Sequence, residues 1–323
     1  MTLAFNIPKI NLAYLPTPIE HLPNLSEFLG GPEIWIKRDD QTGLALGGNK
    51  TRKLEYLLAD AQKEGSELLL TRGAGQSNHC RQTAAAAART GFNCKLILAG
   101  NPPEKVTGNL LLDDLFGAEV VWAREKDPEE TLQSEFDAAG RAGLRPYLIP
   151  YGGSNELGVY AYASAMEELN NQDSSFDRIV FATSSGGTQA GLILGAHFVG
   201  FGGIVQGISV DVVATELQSR IASLVNTTAA WLKIEMDIKA ADVLVEDGFV
   251  GEGYAVLDDL ERDAIISFAH HEGILLDPVY TGRAAGGLME LIRRGEISKD
   301  EKVLFWHTGG TPAIFVYGEE LLG

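Results

Sequence analysis

The chain has 323 residues, 45% of them hydrophobic and 22% charged, the ordinary make-up of a soluble globular protein with ample core. Its formal charge of −18 argues against nucleic acid and anionic membranes as partners, since both reward a basic surface, so an anionic ligand would need helix N-termini or a few buried bases. No apolar run reaches the roughly 18 residues of a membrane span and Met1–Asn11 has no signal-peptide pattern, so a cytoplasmic location is expected.

In chain order, the first short apolar run is Glu33–Lys37 (EIWIK), read as a strand. The glycine-rich Leu44–Asn49 follows and leads into GGNKTRK, Gly47–Lys53. Behind it, Leu54, Leu57, Leu58 and Ala61 take the i, i+3, i+4, i+7 spacing of one helix face, and Lys50, four residues before Leu54, shares that face. Arg52 falls on the opposite face and Lys53 on the flank, so both are expected in water. A lysine held away from water tends to lose its proton, and a neutral amine is what carbonyl chemistry requires. The alternative is a lysine snorkelling from a helix start.

The strand Glu67–Thr71 (ELLLT) is followed by the loop Gly73–His79 (GAGQSNH) and an alanine-rich helix, Thr83–Arg89, whose Ala84–Ala88 permit close packing. Ser77 or Asn78 would cap this helix, or the same N–H groups and side chains could hold a carboxylate. His79 reads as a helix-start residue or a base. Strands Cys94–Leu98, Glu119–Trp122 and Tyr147–Pro150 come next, then a second glycine-rich crossing, Tyr151–Asn155 (YGGSN).

Beyond it, strand Arg178–Ala182 (RIVFA) runs into Thr183-Ser184-Ser185-Gly186-Gly187-Thr188, before a helix beginning near Gln189. Glycines allow close backbone approach, hydroxyls add donors, and a helix N-terminus adds positive potential, so the loop suits a phosphate; a tight capped turn is the alternative. It is neither a P-loop nor the dinucleotide fingerprint. Strand Ile204–Val210 ends at Asp211. Leu275–Gly282 precedes a small-residue helix, Arg283–Ile292, and places Tyr280 either as a stacking face or in the core. Strand Lys302–Trp306 is the last.

Short apolar strands separated by helices predict parallel sheets buried on both faces, an α/β architecture, and the length predicts two units of roughly 100–200 residues. Cys80 and Cys94 have no metal-ligand spacing and are expected to pack. His270 and His271 are adjacent and diverge, while His21, His79, His197 and His307 lack ligand spacing, so no metal is expected. No G-x-S-x-G elbow occurs.

Five motifs, GGNKTRKLEYL, QSNHCRQTAAAAA, SSGGTQAGL, GILLDPVYTGRAAGGL and HTGGTPAIF, stand in register from about Leu15 to Phe315. Together they resemble the pyridoxal-phosphate enzymes of the β-replacement class, fold type II, and within it the branch of D-cysteine desulfhydrase and 1-aminocyclopropane-1-carboxylate deaminase. The resemblance implies two open, twisted, mostly parallel sheets flanked by helices, as in the tryptophan synthase β chain. It implies a large cofactor-binding domain of residues 1–48 and 162–323, a smaller middle domain of 49–161, and a homodimer. Lys50 would join the cofactor aldehyde. Ser185, Gly186, Gly187 and Thr188 would hold the cofactor phosphate, and Asn78 would bond the pyridine 3′-oxygen. Ser77, Asn78 and His79 would receive the substrate carboxylate. Tyr280 would stack on the ring, with Tyr254 (GEGYA) as the second active-site tyrosine. Thr281 and Thr308 would lie toward the pyridine nitrogen.

At position 281 the deaminase is expected to carry glutamate and the desulfhydrase threonine, so Thr281 favours D-cysteine, converted to pyruvate, hydrogen sulfide and ammonia. Lys50, Tyr254 or Tyr280 would take the Cα proton. Arg283 stands where lysine is expected and keeps the charge. L-Cysteate sulfo-lyase shares nearly the same motifs and, with the deaminase, remains an alternative. From other classes, a nicotinamide dehydrogenase would use the glycine loop for pyrophosphate and Asp211 for ribose, but leaves Lys50 without a role; an α/β binding protein would bind no cofactor.

Overall fold

The structure, a computed structural model, describes residues 5–323; the first four residues of the segment read for a signal peptide lie outside them. The first half of the chain runs β1 Ile19–His21, α1 Pro23–Leu29, β2 Glu33–Arg38, α2 Lys50–Lys63, β3 Leu68–Gly73, α3 Asn78–Thr90, β4 Asn93–Leu98, α4 Gly108–Leu115, β5 Glu119–Trp122, α5 Pro128–Arg141 and β6 Pro146–Leu148. The second runs α6 Glu156–Gln172, β7 Arg178–Thr183, α7 Gly187–Val199, β8 Ile204–Ser209, α8 Ala214–Leu232, β9 Leu244–Glu246, α9 Asp259–Glu272, α10 Thr281–Arg293, β10 Lys302–His307 and α11 Gly318–Leu322. One sheet has the order β1-β2-β10-β7-β8-β9 and the other β5-β4-β3-β6. Of the strand pairs among the described residues, only β1 with β2 is antiparallel.

The central strands are mostly apolar because helices cover both faces, and the pleat sends alternate residues to different cores. Val303 and Phe305 pack with Val180, Leu288 and Phe268 on one face, while Leu304 and Trp306 pack with Phe181, Tyr162 and Met166 on the other. In the smaller sheet Leu69, Leu96 and Leu98 meet α2 and α3, whereas Leu68, Leu70 and Ile97 meet α5. Its strands all fall between residues 68 and 148. The expected boundary at 161/162 lies inside α6, a continuous helix packed on both α2 and α7. The larger sheet's edge strands β1 and β9, three residues each, are not among the strands read from the sequence.

One expectation fails outright. Arg52 and Lys53, placed in water by the helix wheel, are 3% and 1% exposed. With α6 on one flank and α3 on the other, α2 has no solvent face near its start. Arg52 grips Asp39 with two hydrogen bonds, Nε to Oδ2 at 2.9 Å and Nη2 to Oδ1 at 2.8 Å, and also reaches Glu168. Glu168 accepts from Lys37 at 2.6 Å, and the Tyr162 hydroxyl donates to Asp39 at 2.6 Å. Burial alone would raise the Asp39 carboxyl, but Arg52, Lys37 and the Tyr162 hydroxyl overcome it and hold it down to about 2. A depressed folded value stabilises the protein above the unfolded pKa and is lost as pH falls through the folded one. Asp39 should therefore contribute on the order of 2 kcal/mol at neutral pH, lost between about pH 4 and 2. Denaturant titrations across that range should show the loss in the parent protein and a flatter profile in Asp39→Asn.

Candidate active site

A cavity opens at the carboxyl ends of β3, β7 and β10, where ligands of open α/β sheets gather. The N-termini of α2, α3 and α7 all reach it, through Lys50, through Ser77–His79 and through Ser185, Gly186 and Thr188. Local positive potential is thus built into a strongly acidic chain.

Lys50 lines the cavity and donates to the Gly152 carbonyl at 3.2 Å, with no carboxylate beside it among the described residues. Burial lowers its amine to about 8. The loop before it is pinned: Arg81 donates to the Gly47 carbonyl at 2.7 Å, Gly48 N–H to the Asp39 carbonyl at 2.9 Å, and the Thr42 hydroxyl to the Gly48 carbonyl at 2.9 Å. These bonds hold Ala45 and Leu46 at φ of 48° and 67°, left-handed values that strain non-glycine residues.

Lys53 sits one turn further on, a neighbour that the sequence does not foreshadow. Its amine donates to the same Gly152 carbonyl at 3.1 Å and approaches Ser154 Oγ at 3.5 Å. Burial, and then Lys50, push it well below its ordinary value. At the start of α7, Gly186 has φ 84° and no side chain caps the helix. The N–H groups of Gly187, Thr188 and Gln189 have no acceptor among the described residues. A Cβ on Gly187 would lie 2.5 Å from Ser154 Oγ and 3.0 Å from Lys53 Nζ. Ser154 and Lys53 thus stand directly behind the Gly187 Cα, next to the stretch of the loop, Ser185, Gly186 and Thr188, that lines the cavity.

Ser77 caps α3 by accepting from Cys80 N–H at 3.2 Å, leaving its own proton free, and the N–H groups of Asn78 and His79 have no acceptor among the described residues. The Thr71 hydroxyl donates to the Ile149 carbonyl at 2.9 Å, so His79 Nε2, 2.8 Å away, must carry the proton that Thr71 accepts. Burial, then Lys50 and Lys53, hold the ring neutral. His79 therefore offers an anion only its backbone N–H.

Across the cavity the Tyr254 and Tyr280 hydroxyls meet at 2.8 Å, and burial raises both above the ordinary phenol value. Thr308 is also on the wall, and its carbonyl accepts from Asn49 N–H at 2.9 Å, while the Asn49 amide donates to Thr188 Oγ1 at 3.1 Å. Thr281 is elsewhere. Its hydroxyl donates to Asp277 Oδ1 and accepts from Asp277 N–H, both at 2.8 Å, and it does not line the cavity. The same carboxylate accepts from the N–H groups of Val279, Tyr280 and Thr281, fixing the turn that aims Tyr280. Tyr151 lines the cavity too, as the first residue of YGGSN, which the sequence shows only as a crossing between units.

The family model described as "Pyridoxal-phosphate dependent enzyme" matches residues 10–309. The chain belongs to that family. Within it, "D-cysteine desulfhydrase" of Salmonella choleraesuis (strain SC-B67) is 41% identical over 96% of each chain, and the Salmonella typhi protein of the same name is 40% identical over the same shares. A solved structure, "Crystal Structure Analysis of the ACC deaminase homologue", aligns with TM-score 0.90 at 37% identity, covering 98% of this chain and 96% of that one. A threonine deaminase isoform from Solanum lycopersicum, 17% identical, aligns with TM-score 0.67 over 96% of this chain and 85% of its own, and shares the fold.

Membership overturns the nicotinamide reading, and the structure gives a local reason. Asp211, expected on a ribose, does not line the cavity, and its Oδ2 accepts from the Ser184 hydroxyl at 2.6 Å. Pyridoxal phosphate suits the cavity that is present. The cavity offers a partly buried amine without a carboxylate partner, an uncapped helix start beside the buried Lys53 for a phosphate, and an amide and hydroxyls for ring substituents.

Proposed function

We propose that this chain catalyses α,β-elimination on a small amino acid, D-cysteine first, giving pyruvate, hydrogen sulfide and ammonia. The observation that carries this reading is the pairing of a lowered-pKa amine with a cavity wall of hydroxyl and amide groups that holds no carboxylate among the described residues. A hydroxyl such as that of Thr308 leaves a nearby ring nitrogen largely unprotonated, whereas a carboxylate would favour the protonated ring and stronger electron withdrawal. Expelling a thiolate needs less withdrawal than opening an unactivated cyclopropane. With the Thr281 hydroxyl engaged by Asp277, Thr308 is the threonine left to act on that nitrogen. The relatives named D-cysteine desulfhydrase support the same substrate.

When bound, pyridoxal phosphate supplies the electron sink that acidifies the substrate Cα–H and lets a β-substituent depart. Lys50 Nζ would join the cofactor aldehyde and, once the substrate amine replaces it, stand as a free amine to take the Cα proton. An amine at about 8 keeps a useful neutral fraction near neutral pH. The tyrosines, held protonated, are suited to giving a proton instead of taking one. One hydroxyl donates to the other, and the remaining proton would be available to the departing sulfur. Ser77 Oγ and the N–H groups of Asn78 and His79 would hold the substrate carboxylate. Ser185, Gly186, Gly187 and Thr188, with Lys53, would hold the phosphate, and Asn78 the 3′-oxygen. The unit of residues 49–161 set against 1–48 and 162–323, the homodimer and the cytoplasmic location belong to the same proposal. Among the described residues no helix is long and apolar enough to cross a membrane. Sedimentation at twice the chain mass would support the dimer.

The substrate is tested by offering D-cysteine, L-cysteine, L-cysteate and 1-aminocyclopropane-1-carboxylate separately and measuring sulfide, sulfite, pyruvate and 2-oxobutyrate. Sulfide with equal pyruvate from D-cysteine is expected. Efficient 2-oxobutyrate formation without sulfide would sink the reading, while sulfite from cysteate would keep the elimination and change the leaving group. The phosphate cradle has its own test. Gly187→Val should weaken pyridoxal phosphate affinity roughly tenfold or more, since its side chain must displace Ser154 or Lys53. Thr188→Ala should cost ~1 kcal/mol, or up to ~3 if its hydroxyl meets the phosphate directly. Equilibrium dialysis reads both, and parental affinity in Gly187→Val would refute the placement.

A further inference from the structure

Asn78 reaches the cavity, but an amide can present either its oxygen or its NH2 group, and only the latter suits an oxyanion. Its orientation is decided outside the cavity. Asn109, second residue of α4, donates from Nδ2 to the Gln76 carbonyl at 2.8 Å, and a carbonyl can only accept. Its Oδ1 accepts from Arg81 Nη1 at 3.0 Å, and a guanidinium can only donate. Asn109 is thereby fixed at both ends, and its second Nδ2 proton goes to Asn78 Oδ1 at 2.9 Å. Arg81 Nη1 approaches the same oxygen at 3.4 Å. If the Asn78 amide turned over, its NH2 group would face two donors. Its oxygen is therefore held away, and Nδ2, with no partner among the described residues, is left to the cavity.

We propose that Asn109, backed by Arg81, is a positioning residue that makes Asn78 an obligate donor toward the 3-oxygen of the bound cofactor. This rests on the reading that Asn78 faces that oxygen. A cationic guanidinium behind the amide oxygen also polarises the amide, strengthening the bond its NH2 group donates. Asn109 is 0% exposed and enters from α4, so it does this without touching the ligand.

Asn109→Asp is close to isosteric, keeps a partner for Arg81, and sets a carboxylate oxygen against Asn78 Oδ1, which should turn the amide. Noncovalent affinity is measured by equilibrium dialysis in the Lys50→Ala background, for pyridoxal 5′-phosphate and for its analogue lacking the 3-hydroxyl, with Asn78→Ala as reference. Asn109→Asp should weaken pyridoxal phosphate by about 10- to 100-fold, the worth of a hydrogen bond to a charged group, and leave the analogue unchanged. Asn78→Ala should show the same selectivity. If Asn78→Ala is selective while Asn109→Asp affects both ligands equally or neither, the positioning role is overturned. If Asn78→Ala is itself unselective, the placement of Asn78 at the 3-oxygen falls, and the inference with it. Should Asn109→Asp not fold, Asn109→Ala removes the donor without adding charge, and a smaller loss with the same selectivity is required of it.

Discussion

Lys50→Ala should reduce turnover at least about a thousandfold, because the proposed anchor of the cofactor and the candidate base for the Cα proton are then lost together. Lys50→Arg should not rescue it, since a guanidinium stays protonated and cannot attack a carbonyl. Stability should move the other way from activity. The Lys50 amine is partly buried on the cavity wall, with a lone carbonyl as its partner and no compensating carboxylate, so its removal should leave the cofactor-free protein about as stable as the parent or more so. Parallel thermal melts and activity measurements on the same preparations check both halves. A Lys50→Ala protein with substantial turnover, or one that fails to fold, contradicts the assignment.

The second large effect lies away from the cavity. In the sequence Arg283 stands only as a charge kept where lysine is expected, and the structure gives the position a different weight. The side chain is 1% exposed; it pairs through Nε with Glu261, equally buried, and donates to the carbonyls of Val210 at 2.8 Å, Gly253 at 3.0 Å and Val256 at 2.9 Å. Gly253 and Val256 bracket Tyr254. A planar fork serves four acceptors at once, which a lysine ammonium on one stem cannot do. Arg283→Met should destabilise by about 3–5 kcal/mol, because Glu261 is left as an uncompensated buried charge. Arg283→Lys should keep part of that stability but lose the grip on the Tyr254 loop, lowering kcat more than it raises KM. Denaturant unfolding and steady-state kinetics on the two variants separate the effects. Parental stability in Arg283→Met would overturn the clasp.

The sequence is most informative where one residue type at one spacing has few readings. Lys50 on the apolar face of α2, the hydroxyl-and-glycine turn after β7 and the cap at Ser77 can each be found by counting, and the pleat alternation of β7 and β10 follows from their composition. What stays hidden depends on tertiary neighbours. A helix wheel assumes one wet face, and α2 has none at its start, so the wheel misplaces Arg52 and Lys53. Thr281 reads by analogy as a residue at the ring, yet its hydroxyl is engaged with Asp277 four residues back. Asn109 and Tyr151 carry no local signature, because their roles come from chain segments 28 to 33 residues distant, or from the shape of the cavity. The motifs in register locate the site; only the packing shows which atoms face it.

The most direct measurement is borohydride reduction of the enzyme loaded with pyridoxal phosphate, followed by proteolysis and peptide mapping. A single pyridoxyl group on Lys50 is the expected result, with loss of the visible absorption band and of sulfide release from D-cysteine in proportion to labelling. A label on Lys53 or any other lysine, or no label in an enzyme that still releases sulfide, would contradict it.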